Sequence, residues 1–489
     1  VSHYLAFDLG AESGRVMLGT VQPDKLVLEE IHRFPNQPVW LPTGLYWDTL
    51  RLYYEIEEGL RDAARRGIQP AGIGIDAWGV DFGLLGADGA LVDNPRHYRD
   101  PRNNGMIERI TAVVPRERIF ASTGLQFMQL NSLCQWYAMK LAGSPALQTA
   151  RTLLFMPDLF HYFLTGVKRC ERTIASTSQF YNPVTRAWAA DLLDELGLDK
   201  SVLPPIVDPG EKLGSLLEGV AGRTGLPAST PVFATAAHDT ASAVAAVPAE
   251  GGRWCYISSG TWSLMGVELD QPLIHADVLR LNFTNEIGAA GKVRLLKNIA
   301  GLWLLQECRR AWQSAGEDYS YADLTGFAAE APPHTALLDP DAFLEPGNMP
   351  ERIAAWCQRT RQPVPRDKGT ICRVILESLA LRYRQVLENL DALTGNRIEF
   401  IHIVGGGSRN ALLNAMVADC TGRTVFAGPA EATAAGNVLV QAIGAGELPD
   451  LAAARALLRR SFNVETFEAR SPQAWDGPYQ RFLALCSQR

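Results

Sequence analysis

Residues 4–18 read Tyr-Leu-Ala-Phe-Asp-Leu-Gly-Ala-Glu-Ser-Gly-Arg-Val-Met-Leu, and this stretch decides the fold. Tyr4-Leu5-Ala6-Phe7 is a short apolar strand, Gly10–Gly14 a small-residue turn, and Arg15-Val16-Met17-Leu18 the returning strand of a hairpin. The design recurs in the second half of the chain. Trp254-Cys255-Tyr256-Ile257 leads into Ser258-Ser259-Gly260-Thr261, then Trp262-Ser263-Leu264-Met265 and Gly266. Gly10 and Gly19 thus find counterparts in Gly260 and Gly266. A second pair follows. Ala71–Asp76 is a buried-type strand running into a turn with Trp78-Gly79, and Ile398–Val404 runs into Gly405-Gly406-Gly407 and a helix start at Ser408–Leu413. Between the strands, Leu52, Ile56, Leu60 and Ala63 share one helical face, as do Ile375, Leu379, Tyr383, Val386 and Leu390. The reading is α/β with two related halves, joined at the Pro/Gly-rich segment Val247–Gly252. Domains are expected over 1–247 and 248–489.

At 489 residues the chain exceeds one ordinary core. Its 47% hydrophobic and 20% charged residues exclude a disordered or fibrous protein. A formal charge of −7 argues against nucleic acid or an acidic membrane as partner. No apolar run approaches the ~20 residues that span a bilayer. Val1-Ser2-His3-Tyr4 lacks a basic region and soon meets Asp8, so no signal peptide is expected. The eight cysteines form no zinc-type spacing, which suggests reduced thiols in the cytoplasm. Cys357 and Cys372 flank the polar loop 358–369, and a bridge between them is the alternative to reduced thiols.

The glycine turns fail the well-known phosphate-loop patterns. Gly291-Lys292 is followed by Val293, so no Walker A loop exists, and Gly72-x-Gly74 lies inside a strand rather than opening a helix. What remains is Asp8 at a strand end, followed by small residues whose backbone N–H groups can approach phosphate oxygens, with Ser13 and Arg15 as further donors. A carboxylate there suits hydrated Mg²⁺, which keeps most of its waters. The same residues also read as a plain hairpin with a surface Asp-Ser-Arg cluster. In Thr235–Ala243, His238, Asp239 and Thr240 interrupt small apolar residues, and burying them costs energy unless they are partnered or used. Asp239 can take a proton from an attacking hydroxyl; capping a helix that begins at Thr240 is the competing reading.

Together these motifs resemble the FGGY family of carbohydrate kinases, in its branch acting on L-rhamnulose. The matching stretches are DLGAESGRVML (8–18), GIGIDAWGVDFGLL (72–85), HYRDPRNNG (97–105) and FMPDLFHYFLTG (155–166). They continue with AAHDTASAV (236–244), YISSGTWSLMG (256–266), LLKNIAGLWLLQ (295–306), HIVGGGSRNALLN (402–414) and AGPAEATAAGN (427–437). The resemblance implies an actin-like (ribonuclease H-like) ATPase fold, with two duplicated α/β domains and a cleft between them. It implies ATP- and Mg²⁺-dependent phosphorylation of L-rhamnulose on its 1-hydroxyl in L-rhamnose breakdown. L-fuculose, L-xylulose or another ketose is the alternative substrate, and a non-catalytic ATP-dependent sugar sensor the alternative class. A small-molecule ketose and ATP are the expected partners of a monomer or weak homo-oligomer. By the same resemblance, Asp239 is the general base, with Gly79, His238 and Thr240 beside it at the sugar. Ala11, Glu12, Ser13, Gly14 and Arg15 form the first phosphate turn. Thr261, Asn298, Gln306 and Gly406 fall on nucleotide contacts, and Asp8 holds magnesium through water. Glu12 departs from the small hydroxyl residue common there, and its side chain is expected to point away. Ala77 stands where a threonine is often found. Trp78, Trp262, Trp303 and His402 read as core residues, and Asp81 as ordering the turn.

Overall fold

Tyr4, Leu5, Ala6, Phe7 and Leu9 are all buried, so the first strand, β1 (Ser2–Leu9), has no solvent face. A strand covered on both sides belongs in the middle of a sheet. The computed structural model, which describes residues 1–487, places it there. The chain divides into two units. Unit 1 comprises Val1–Pro248, Glu268–Leu295 and Ala432–Phe462; unit 2 comprises Ala249–Val267, Leu296–Glu431 and Asn463–Arg489. Pro248, in the expected joint, ends the first segment of unit 1, and two later segments return to that unit.

Unit 1 is built on β1, β2 (Ser13–Val21), β3 (Leu26–Pro35), β4 (Gly72–Ala77), β5 (Lys212–Ser215) and β6 (Pro231–Phe233), in the order β5-β6-β4-β1-β2-β3. The hairpin β1–β2 is antiparallel, whereas β4 runs parallel to β1 and β6 parallel to β4. The helix Thr49–Arg65 starts at Asp48, whose side chain accepts from the Arg51 N–H. It buries Leu52, Ile56, Leu60 and Ala63, the face predicted from their spacing. Those residues join Leu5, Phe7, Ile73 and Ile75 in one core.

In unit 2, β7 (Trp254–Ser259) and β8 (Trp262–Leu269) repeat the hairpin. The short strand β9 (Thr284–Ile287) and the first residues of β10 (Val293–Ala300) count with unit 1. With β11 (Phe400–Val404), β12 (Thr424–Ala427) and β13 (Glu465–Phe467), the order is β9-β10-β8-β7-β11-β12-β13. Here β11 is parallel to β7 and β12 to β11. The unit 1 series β3-β2-β1-β4-β6 and the unit 2 series β10-β8-β7-β11-β12 thus follow one plan. Each carries an antiparallel strand outside it, β5 and β13. That is the actin-like arrangement. All eight cysteines are free thiols, Cys357 and Cys372 included. No helix among the described residues is long and apolar enough to cross a membrane.

Candidate active site

In unit 1, register brings the polar residues together. β1 and β4 pair so that Asp8 lies beside Asp76 and Leu9 beside Ala77. Past β6 the chain stays alongside β4: the Ala77 N–H donates to the Ala237 carbonyl at 2.9 Å, and Ala77 bridges His238. The helix Asp239–Ala245 then begins, with His238 in the N-cap position, one residue earlier than the competing sequence reading has it. Asp8, Asp76 and Asp239 therefore stand at the carboxyl ends of neighbouring parallel strands, where open α/β sheets bind ligands.

Each carboxylate has a distinct environment. Asp8 is buried and receives the Arg15 guanidinium at 2.5 Å. Asp76 is fully buried; its Oδ2 accepts from Asn437 Nδ2 at 2.5 Å, and its Oδ1 has no hydrogen-bond partner. Burial first, then the charge of Asp8, pushes Asp76 well above the usual carboxylate range, while the Asn437 bond opposes the shift. Asp239 is raised too, by burial and by Asp8, with its hydrogen bonds from Thr240 pulling it down. Its side chain is 29% exposed. Oδ1 accepts the Thr240 N–H at 2.5 Å and the Thr240 hydroxyl at 3.1 Å, with His238 Nε2 at 3.4 Å. Oδ2 takes no hydrogen bond among the described residues, which leaves it as the atom able to receive a proton.

Two buried acids hold the surrounding backbone. Glu171 accepts from the Thr173 N–H (2.8 Å), the Thr173 hydroxyl (2.5 Å) and the N–H groups of Ile174 and Ala237 (both 3.1 Å). Burial pushes it up to about 7 despite these bonds. The Thr173 hydroxyl in turn accepts the His238 N–H at 3.1 Å. Asp81 orders the turn after β4, as its sequence reading expects. It accepts from Trp47 Nε1 (2.6 Å), Trp78 Nε1 (3.0 Å), the Tyr98 N–H (3.2 Å) and Gln135 Nε2 (2.7 Å), and burial pushes it up to about 7. Gly79 sits in that turn, and a Cβ there would stand 3.2 Å from the Thr177 side chain. Trp78 is buried here, and His97 stacks on Trp47 with ring centroids 4.2 Å apart.

The turn between β1 and β2 is closed by the Gly10 N–H on the Ser13 carbonyl (2.9 Å) and anchored by Asn36, whose side chain donates to the Gly10 carbonyl at 2.8 Å. Ala11 and Ser13 are half-buried, Gly14 is buried, and Glu12 is exposed. Arg15, at the start of β2, turns onto Asp8.

Unit 2 carries its own cluster at the tip of β7–β8. The Leu302 N–H donates to the Gly260 carbonyl (3.0 Å) and the Trp303 N–H to the Thr261 carbonyl (3.1 Å), tying the hairpin to the helix Trp303–Ser314. Gln306 lies in the first turn of that helix, and its buried Oε1 has no hydrogen-bond partner. The turn after β11 packs on the same tip, since a Cβ on Gly407 would fall 2.0 Å from Ser259 Oγ. Gly406 beside it is exposed with open space around it. Asn298 is half-buried on β10. Trp303 and His402 are buried, whereas Trp262 is half-buried.

Asp76, Glu171, Asn437, Glu286 and Arg294 were not singled out by sequence reasoning. For Asp76, Asn437 and Arg294 the signal is a polar or charged residue inside an apolar strand or helix run, as in Ile75-Asp76-Ala77 and Gly436-Asn437-Val438; Glu171 and Glu286 stand among polar neighbours and carry no such signal.

Comparison with known proteins follows these clusters. Residues 3–246 match the N-terminal domain of the FGGY family of carbohydrate kinases, and residues 255–445 match its C-terminal domain. A rhamnulokinase of Bacteroides thetaiotaomicron is 48% identical over 482 residues, covering 98% of each chain. One from Enterococcus faecalis is 41% identical, over 99% of this chain and 98% of its own. Among solved structures, a ligand-bound xylulose kinase from Lactobacillus acidophilus superposes with a TM-score of 0.82 at 15% identity, over 100% of this chain and 98% of that one. Plasmodium falciparum glycerol kinase with ADP gives 0.78 at 15%, over 100% and 97%. At such identities the two structures speak for the fold.

Proposed function

The chain belongs to the FGGY family of carbohydrate kinases, and from that premise we propose that it phosphorylates L-rhamnulose on the 1-hydroxyl with ATP and Mg²⁺. L-rhamnose breakdown in the cytoplasm is the setting this reading implies. The observation that carries the chemistry is Asp239, whose Oδ1 is engaged by Thr240 while Oδ2 is free on a partly exposed face. Oδ2 takes the proton of the sugar hydroxyl as its oxygen bonds to the γ-phosphorus; the bond from that phosphorus to the β-bridging oxygen breaks, and ADP leaves. A raised carboxyl is a better-matched base than an ordinary aspartate. Gly79, His238 and Thr240 flank the sugar. The turn Ala11–Arg15 offers backbone donors to the phosphates, while Thr261, Asn298, Gln306 and Gly406 contact the nucleotide. In this scheme residues 1–247 carry sugar and phosphate sites and residues 248–489 the nucleotide site.

The donor set fits a magnesium ion that keeps its water shell: Asp8 lies beside Asp76, whose Oδ1 is unpartnered. Bound there, the ion would supply charge neutralisation on the phosphates, with Asp8 accepting from its waters. The choice of L-rhamnulose is supported by relatives named rhamnulokinase at 37–48% identity. A coupled ADP-release assay over L-rhamnulose, L-fuculose and L-xylulose tests it. We expect the highest kcat/KM for L-rhamnulose; an equal or higher value for another ketose overturns the substrate assignment.

A further inference from the structure

Behind His238 lies a buried ion pair that the reaction scheme leaves without a role. β9 supplies Glu286 and β10 supplies Arg294, joined through a tight turn in which the Gly288 N–H donates to the Lys292 carbonyl at 2.7 Å. Arg294 is wholly buried. Its Nη2 lies 3.1 Å from Glu286 Oε2, from the Ile287 carbonyl and from His238 Nδ1. Its Nε also donates to the Ile287 carbonyl at 3.3 Å. A guanidinium has only donors and does not lose its proton in a protein. A hydrogen on His238 Nδ1 would find Glu286 Oε2 at 3.3 Å, but it would also set donor against donor with Nη2 at the shorter distance of 3.1 Å; the closer contact is to the cation, and it favours Nδ1 presenting its lone pair to Arg294. The proton of the neutral ring then sits on Nε2, because the bond made by one ring nitrogen fixes the state of the other. Nε2 faces Asp239 Oδ1 at 3.4 Å.

We infer that Arg294 is a positioning residue: it fixes His238 as the Nε2–H tautomer, which turns its N–H toward Asp239 Oδ1, the oxygen Thr240 already holds, and leaves Oδ2 for the sugar hydroxyl. This deepens the kinase reading and rests on it. The charged groups facing the ring are Arg294 and Glu286 from β9 and β10, and Asp239 from its own helix. Without Arg294, Glu286 Oε2, 3.3 Å from Nδ1, is the remaining charged neighbour on that side and calls for a proton on Nδ1. The ring then either shifts its single proton to Nδ1, turning a lone pair toward Asp239, or becomes a cation that lowers the basicity of Asp239. Both outcomes slow proton transfer.

The test reads the tautomer directly. Side-chain ¹⁵N NMR of the resting enzyme, with the His238 ring assigned by its loss in His238→Gln, is expected to show a bare Nδ1 and a protonated Nε2 at neutral pH. A protonated Nδ1 in the wild type overturns the inference without any variant. In Arg294→Met the proton should appear on Nδ1, and kcat should fall by about 10- to 100-fold, the loss seen when a histidine that ligates a metal loses the partner on its other ring nitrogen, with KM for ATP nearly unchanged. Should the loss of the guanidinium beside buried Glu286 prevent folding, Arg294→Met/Glu286→Gln removes both charges; with neither left to set the ring, the two tautomers should mix, and kcat should fall by a smaller factor than in Arg294→Met. An unchanged kcat or an unchanged tautomer in a folded variant overturns the inference while leaving the kinase reading intact. Conversely, failure of every ketose in the turnover assay removes the kinase reading, while the tautomer measurement still stands.

Discussion

Replacing Asp81 by asparagine should change the pH dependence of local stability by an amount the structure sets. Burial raises this carboxyl from 3.8 to about 7 in the fold. A raised acid binds its proton more tightly when folded, so its contribution to stability is complete below about pH 3.8 and is lost as pH climbs toward 7. Integrated from pH 5 to pH 8, that loss is roughly 2–3 kcal/mol. An asparagine side chain does not titrate, so the variant lacks the loss. Its carbonyl can stand in for Oδ2, which accepts from Trp47, Trp78 and Tyr98, and Gln135 can turn its amide over to meet the new NH₂ group. That turn gives up the Gln135 bond to the Leu130 carbonyl and its longer one to the Val80 carbonyl, a pH-independent cost of about 1–2 kcal/mol. His97, which burial holds down at about 3, destabilises the fold as pH drops below its ordinary 6.5, but both proteins share it and it cancels in the difference. Native-state hydrogen exchange of the Trp78–Tyr98 segment, corrected for intrinsic rates, reads the local opening free energy without assuming that the whole chain unfolds in one step. Relative to wild type, Asp81→Asn should gain roughly 2–3 kcal/mol between pH 5 and pH 8. Parallel profiles for the two proteins would refute the reasoning, because they would mean that Asp81 titrates in the fold as it does in water.

Two further outcomes are expected elsewhere. Asp239→Asn should bind sugar and ATP within a few-fold of wild type by calorimetry while kcat falls on the order of 10²–10⁴-fold; undiminished turnover removes the assigned base. Gly407→Ala should weaken nucleotide binding and lower the Tm, because its methyl group would fall 2.0 Å from Ser259 Oγ, whereas Gly406→Ala has open space and should leave the Tm unchanged. Equal effects of the two alanines would show that the turn yields easily.

Hairpins and strand–glycine turns were legible because they are local: apolar runs, small residues and turn chemistry lie within a few positions of one another. Asp8, Asp239 and the Gly405–Gly407 turn could be found that way. Two kinds of residue escaped. Asp76 and Asp8 are far apart in the chain and become neighbours only through the parallel register of β1 and β4. Asn437 reaches Asp76 only because the helix Ala432–Gly444 returns to unit 1, where Gln441 also donates to the Asn437 side chain at 2.7 Å. A boundary drawn once through the sequence assigns that helix wholly to the second half, so its polar face has no visible purpose there. Yet a single asparagine among Ala434, Ala435, Gly436, Val438 and Leu439 is costly to bury unless something accepts its protons. An aspartate ending an apolar strand poses the complementary problem. The buried polar groups of such a sequence therefore pose a pairing problem, and here each solved the other's burial: one amide donor met one buried carboxylate, at the end of the strand beside Asp8.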